Sequence, residues 1–482
     1  MSSARPHTPA APPAPPGANT VVWVLAFTGI VVSLMQTVVI PLVPQFPKLL
    51  NADPADTAWA ITATLLAAAV ATPTVGRLGD MHGKRRMLLI SIVLLVAGSV
   101  VGALSDTIGP MIVGRVLQGL ASGVIPLGIS IMRDELPAEK LGSATALMSA
   151  SLGVGGALGL PLAAVLVEQL DWHVLFWGAA GLGVIAGVLV VALVPESAVR
   201  SGGRFDLVGA LGLSVVLVCL LLAVSKGAQW GWGSALTLGL LGGAVVALAA
   251  WSWWELRTTE PLVDLRTSAS PQLLLTNAAS VVFGFAMFAM SLVMPQLLQL
   301  PASTGYGLGQ SLLGVGLVLA PSGLVMMAMA PLSARLSRER GPKTTLITGA
   351  LVVAVGYGLN VVLMSQLWHL VLVSSIIGAG IGLSYGALPA LVMSAVPVSE
   401  TAAANSLNTL MRSIGTSLSS AVAGVILTQL TTAAGLPSQQ AFQVIMAVGA
   451  GAALTAAGVA ALLPGTGRAV VAQPAAAATA TR

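Results

Sequence analysis

The sequence predicts an all-α polytopic membrane fold: two six-helix bundles with two extra central helices, fourteen spans in all. Three observations lead there. The first is composition: of 482 residues, 56% are hydrophobic and 8% charged, with mean hydropathy +0.94. Soluble domains carry about 25% charged residues, so most of this chain does not face water. The second is the number of long apolar runs. The third is a short basic motif, "GRLGDMHGKRR" at 76–86, whose skeleton returns 258 positions later as "ARLSRERGPK" at 334–343.

A spanning helix needs roughly 20 apolar residues. Fourteen segments qualify: 21–44, 55–75, 87–105, 110–131, 143–167, 173–194, 206–225, 234–254, 273–298, 309–333, 344–364, 369–396, 402–429 and 441–463. They are too long for barrel strands, which alternate in pieces of about ten residues. Residues 1–19 and 465–482 are Pro- and Ala-rich and read as disordered cytoplasmic tails, and the first has no signal-peptide core. With the N-terminus inside, 17 of the 21 Lys and Arg residues fall on the inner side, only Lys48 and Lys226 outside, and Arg115 and Arg412 within spans. That imbalance predicts both termini in the cytoplasm. Trp59, Trp172, Trp230, Trp232 and Trp368 then mark the outer interface, and Trp251, Trp253 and Trp254 the inner one.

The two basic motifs each follow the second helix of a group of six. "GLASG" (119–123) aligns with "GAGIG" (378–382) and Pro137 with Pro397, at nearly the same offset. The chain therefore divides into a first bundle (20–195), a linker with two spans (196–270) and a second bundle (271–464). Parallel halves related by an axis along the membrane normal belong to the major-facilitator architecture, with substrate near the midplane between halves.

From these residues the chain resembles the 14-helix drug:proton antiporters of the major facilitator superfamily, over essentially residues 20–465. Gly76, Leu78, Asp80, Gly83, Lys84 and Arg85 match the superfamily's cytoplasmic motif, and Arg77 lies within it. Arg115, Gln118 and Gly119 match its fourth-helix motif. "GVGGALGLP", with Gly153, Gly155, Gly156, Gly159 and Pro161, approximates its fifth-helix antiporter motif. There are departures: Met81 replaces a basic residue, Leu160 intervenes before Pro161, and Met35 in "SLMQTVVIPLVP" stands where this branch has an acid. The resemblance implies gating by the 76–85 motif, leak sealing by the fifth helix, and a cavity lined by Met35, Gln36, Thr37, Gln118, Gln296, Tyr385 and Asn408.

Read as physics, Gly76 and Gly83 allow a tight turn between helices, and Asp80 can accept from helix N-terminal amides or pair with Arg across the gap between halves. A charge at span centre costs about 2.5–3.5 kcal/mol on insertion scales, so Arg115 and Arg412 are candidates for proton coupling. Arg115 has the alternative of snorkelling outward, and Arg412 that of bonding to carbonyls and Asn408. The fifth-helix glycines also suit close helix packing. The Met run at 326–329 could form an adaptable apolar wall.

The single cysteine, Cys219, excludes an internal disulfide, and the scattered basic residues argue against nucleic-acid binding. The four His residues lie in the tail or at loops and span ends, and "GDMHGKR" lacks Walker spacing. No enzyme, no metal and no cofactor is expected. The expected function is proton-coupled export of amphiphilic drugs, antibiotics or secondary metabolites across a bacterial plasma membrane, by a monomer in contact with lipid. With no carboxylate near mid-span, neutral or weakly anionic substrates are favoured. A proton-coupled small-solute importer of the same fold is the alternative.

Overall fold

A computed structural model describes residues 17–39, 42, 45–432 and 435–464. Both tails expected to be disordered lie almost wholly outside these, as does much of 40–44. Among the described residues, fourteen helices are long and apolar enough to cross a membrane. They are α1 (Ala18–Thr37), α2 (Trp59–His82), α3 (Lys84–Ala103), α4 (Ile108–Glu135), α5 (Ala138–Gln169), α6 (His173–Leu193) and α7 (Leu207–Trp230). The rest are α8 (Ala235–Arg257), α9 (Pro271–Gln299), α10 (Leu312–Arg340), α11 (Pro342–Val362), α12 (Leu367–Met393), α13 (Thr401–Gln429) and α14 (Gln439–Ala461).

The repeat is visible in the packing. In the first bundle α1 packs on α5 and α6, α3 on α4 and α6, and α2 on α4. In the second, α9 packs on α13 and α14, α11 on α12 and α14, and α10 on α12. Each pairing of the first set recurs in the second eight helices later. Each bundle has its own buried core, one around Leu25, Leu88, Met111 and Leu127, the other around Phe283, Leu346, Tyr357 and Phe442. The bundles meet along α2–α13 and α5–α10, with α4–α13 and α5–α12 contacts beside them. The extra pair α7–α8 lies outside, and α7 rests on both α2 and α13.

One expectation needs correction. The segment 76–82 is not a turn but the last two turns of α2, so the helix runs well past position 75. Only Gly83 turns the chain, at φ +113°, as Gly341 does at φ +86° in the repeat. Gly76 is a glycine for another reason. A Cβ there would lie 2.6 Å from Ser406 Cβ and 2.8 Å from the Ala402 carbonyl on α13, so its missing side chain lets the bundles touch.

Candidate functional site

The end of the molecule that carries the 76–86 motif is its basic end. There the C-terminal turns of α2 meet the N-terminus of α13. The first amides of a helix have no intrahelical partner and carry partial positive charge. Asp80, fully buried, accepts from two of them, Ala402 at 3.2 Å and Ala403 at 2.8 Å. Lys84, also fully buried, lies 3.7 Å from Asp80 and 2.6 Å from Asp134 of α4. The carboxylate thus binds the second bundle while the ammonium holds it to the first. Charge-assisted hydrogen bonds of this kind are worth about 1.5–3 kcal/mol each.

Arg133, next to Asp134, makes a second crossing. It donates to the Val396 carbonyl at 3.0 Å, the Pro397 carbonyl at 3.4 Å and Thr401 Oγ1 at 2.6 Å. Beyond Gly83, Glu196 accepts from the amides of Arg85 (3.3 Å) and Arg86 (3.2 Å), capping α3, while the Arg85 guanidinium donates to the Val191 carbonyl. Arg77 lines a crevice of about 180 Å³ between α2, α13 and the segment joining α8 to α9. Asp134, Arg133 and Glu196 were not singled out from sequence. Their signal, charge at an inner helix end, is shared with many solvated residues.

The repeat does not reproduce this latch. The position matching Asp80 holds Arg338, which is exposed. Arg335 pairs along its own helix with Glu339 at 2.8 Å. On the α10–α5 side a Cβ on Gly142 would stand 3.9 Å from Ala334 Cβ, ordinary van der Waals contact, with no charged group joining the two helices there among those described above.

Within the spans, the two arginines are far from equivalent. Arg115 is 2% exposed, so it does not snorkel. Its Nε donates to the Ala60 carbonyl of α2 (3.1 Å), and its Nη1 to the Met35 carbonyl of α1 (3.3 Å) and Gln118 Oε1 (2.6 Å). Gln118 passes the connection to Ser99 of α3 at 2.9 Å. Arg115 and Gln118 thus tie four helices of one bundle together. Arg412 instead faces the ring of Tyr385, 4.7 Å from its centroid, and donates a long hydrogen bond to Thr409 Oγ1 (3.4 Å). Tyr385 is in turn edge-on to Phe283, centroids 6.4 Å apart. Arg412 does not bond to Asn408, which donates to Asn277 (2.9 Å) and Ser280 (2.8 Å).

The expected cavity residues divide accordingly. Met35 is 3% exposed in the core of the first bundle, and Gln118 and Asn408 are also 3% exposed and committed to hydrogen bonds. None of these three lines an open cavity in this conformation. Gln36, Thr37 and Gln296 stay partly exposed, and Tyr385 is closed over by Arg412.

The fifth-helix motif is a packing face. A Cβ on Gly155 would lie 2.5 Å from Ser33 Cβ, and one on Gly159 would strike Thr37. Thr37 donates to the Gly155 carbonyl at 3.1 Å and Ser33 to the Leu152 carbonyl at 2.7 Å. Gly156 has more room, with Thr37 3.9 Å from such a Cβ. On the other side of α5, Gly153 abuts Met326 of α10, and a Cβ on Gly316 of α10 would lie 2.7 Å from the nitrogen of Pro161. The motif therefore seals α5 both to its own bundle and to the opposite one. Pro161 lies inside the helix and, lacking an amide hydrogen, cannot donate to the carbonyl one turn back.

Two bundles of like packing, joined along a seam and crossed by a charged latch, define a two-bundle, fourteen-helix membrane fold. Residues 25–420 match the Major Facilitator Superfamily, and the chain belongs to that family. Among its relatives is an uncharacterized MFS-type transporter of Mycobacterium tuberculosis, 30% identical over 85% of this chain; the matched region spans 59% of that relative's length. The tetracenomycin C resistance and export protein of Streptomyces glaucescens is 29% identical over 82% of this chain and 73% of its own. Multidrug resistance protein 3 of Bacillus subtilis is 24% identical over 78% and 73%. Two solved structures share the fold: the human organic anion transporter MFSD10 (TM-score 0.66, 15% identity, 93% of this chain and all of that one) and the proton:xylose symporter XylE (TM-score 0.62, 16% identity, 91% and 94%).

Proposed function

We propose that this chain is a secondary active exporter of amphiphilic antibiotics, drugs or secondary metabolites, working by proton antiport as its two bundles rock about the seam. The observation that carries the reading is the contact across the seam at the basic end. Asp80 and Arg133 reach from the first bundle to the N-terminal turn of α13 and the loop before it, so they bond only while that end is closed. The basic end faces the cytoplasm on the positive-inside rule, with both termini on that side, in the bacterial plasma membrane. The conformation described is then closed to the cytoplasm. Relatives named for multidrug resistance and for tetracenomycin export support the direction of transport.

In this reading the halves are the helices of 20–195 and of 271–464, with 196–270 an added module. Gly76, Arg77, Asp80, Gly83, Lys84 and Arg85 form the gate. Arg412, beside Tyr385, is the intramembrane charge next to the substrate path, with Gln36, Thr37 and Gln296 at its edge, whereas Arg115 braces the first bundle. Gly153, Gly156, Gly159 and Pro161 hold α5 tight against leak. The substrates are neutral or weakly anionic, since a lone arginine cannot neutralise a cationic drug. The working unit is a monomer in lipid, using protons and no cofactor.

The test is transport by proteoliposomes of a neutral antibiotic and a cationic dye, with and without an imposed pH gradient. Proton-driven movement of the neutral compound in the export direction, abolished by a protonophore, is expected. Equal movement of the dye would overturn the substrate class. Movement coupled in the inward direction would establish the importer instead.

A further inference from the structure

The extra helices carry a second charged site. Leu213, Val216, Leu217 and Leu221 of α7 form one buried cluster with Ala69 of α2, Leu410 of α13, Trp251 of α8, and Leu262 and Val263 of the segment that follows α8. At the far end, Lys226 Nζ sits 5.0 Å above the Trp59 ring of α2. Helix α7 therefore lies across the seam on the same two helices that Asp80 joins, and a rocking motion has to shear this cluster.

Glu255 lies at its edge. The residue is 2% exposed, and among the described residues neither carboxylate oxygen has a hydrogen-bond partner of normal geometry. The Leu262 and Val263 amides and the Trp251 indole approach it without closing a bond; the indole donates instead to the Gly209 carbonyl at 2.9 Å. Asp206, at the start of α7, is the opposite case. It accepts from the Gly209 amide at 2.8 Å and from Trp254 Nε1 at 3.1 Å. The two carboxylates converge over Gly209, where a Cβ would stand 2.5 Å from Glu255 Oε1 and against Asp206 Oδ2. Asp206 is the charged group facing Glu255. Within the cluster the packed elements present apolar side chains, Ala69 from α2, Leu410 from α13, and Leu262 and Val263 from the joining segment, while Arg77 of α2 and Glu400 at the start of α13 line the crevice on which Leu262 and Val263 also open. Asp264 is occupied capping Arg266 and Thr267, and Glu260 accepts from the Arg204 amide.

We propose that Asp206 and Glu255 form a one-proton binding site that couples protonation to closure of the basic end. One carboxylate of the pair is hydrogen-bonded; the other sits among apolar groups, where an unpaired charge is costly. A proton taken from water at the basic end adds to Glu255 and is donated in a hydrogen bond to Asp206, and no other bond is made or broken. Loaded, the site lets α8 and residues 262–263 seat against the α2–α13 cluster. Unloaded, the Glu255 charge has to reach water, which lifts them and frees the crevice.

The experiment uses the full chain in proteoliposomes without substrate, so it does not depend on the direction or identity of cargo. Ala404, which lines the crevice, is replaced by Cys in a Cys219→Ala background. Maleimide labelling is followed from acid to alkaline pH, normalised to the denatured protein to remove the thiol's own titration. The normalised rate is expected to rise about tenfold through one midpoint, equivalent to about 1.4 kcal/mol. Glu255→Gln keeps it low and flat, and Asp206→Asn displaces the midpoint. A parent protein without a midpoint, or a Glu255→Gln protein that keeps it, overturns the proposal. Infrared difference spectra give an independent check in the parent and in Asp206→Asn. The carbonyl band of a protonated carboxylic acid should titrate with the same midpoint as labelling, and its absence at every pH also overturns the proposal.

Discussion

At the residue scale, what distinguishes the charged side chains is how many of their hydrogen bonds are met. Asp80 is buried and satisfied by two amides and Lys84. Replacing it with Asn keeps the size but loses the charge, and should weaken the seam by about 1.5–3 kcal/mol. Cysteines placed in the crevice at the basic end should then label faster, with little change in melting temperature. Arg115 is satisfied by two carbonyls and Gln118, so Arg115→Leu strands buried acceptors at about 1–3 kcal/mol each. Its signature is low yield and a lower melting temperature rather than altered substrate preference. Arg412 has an aromatic face and one long hydrogen bond. Arg412→Gln should leave folding nearly unchanged, while transport of weakly anionic compounds falls at least tenfold relative to neutral ones; equal loss for both classes would place Arg412 outside the substrate path. The sequence marked both arginines by the same rule, an expensive charge inside a span. It could not tell them apart, because the carbonyls that satisfy Arg115 come from α1 and α2, 80 and 55 positions away.

At the element scale, glycine does two different jobs in one motif. Gly83 holds φ +113° with Glu196 beside it, and a Cβ in such backbone costs about 1–3 kcal/mol. Gly76 is ordinary helix, and its cost is contact with α13. Gly83→Ala should therefore lower thermal stability whichever state is stabilised. Gly76→Leu should instead hold the basic end open, read as fast labelling there with a modest change in melting temperature. The fifth helix follows the same logic. Gly155→Leu forces α1 and α5 apart, and a leak of protons down an imposed gradient in vesicles without substrate is the expected result. The motif's spacing was legible in the sequence, and so was its position at the end of the second helix. The helical state of 76–82 was not, because glycine and charge density are loop signals unless a neighbouring helix supplies the contact that makes them pay.

At the scale of the whole molecule, the fourteen-helix architecture follows from hydropathy and from the repeat, and the packing recurs helix for helix. Its asymmetry does not follow. With Asp80 in one half and Arg338 in the other, the charged latch lies, among the described residues, on the α2–α13 side. The α7–α8 pair also sits on that side, so the proposed closure of the basic end is expected to depend more on α2–α13 than on α5–α10. Disulfide trapping tests this. A cross-link between cysteines at Gly79 and Ala402, with Cys219 replaced, should stop transport and be reversed by reductant. Cysteines at Gly142 and Ala334 would have the same Cβ separation, 3.9 Å, but without a charged latch to hold that side closed their cross-link should form less readily in the same membranes.

The sequence alone was enough for the class of solvent around each segment, the number of spans, the two-fold repeat and the position of the charged motifs. These are properties of local composition and period, and a bilayer enforces them segment by segment, because every buried backbone group must be bonded within its own helix. Only the tertiary structure decided which charges are partnered: that Asp80 sits on the amides of α13, that Arg115 is a brace, and that Glu255 is buried without a hydrogen bond beside Asp206. Those facts depend on which helices lie side by side, and the partners come from segments as much as 323 positions apart, a separation that no local pattern encodes.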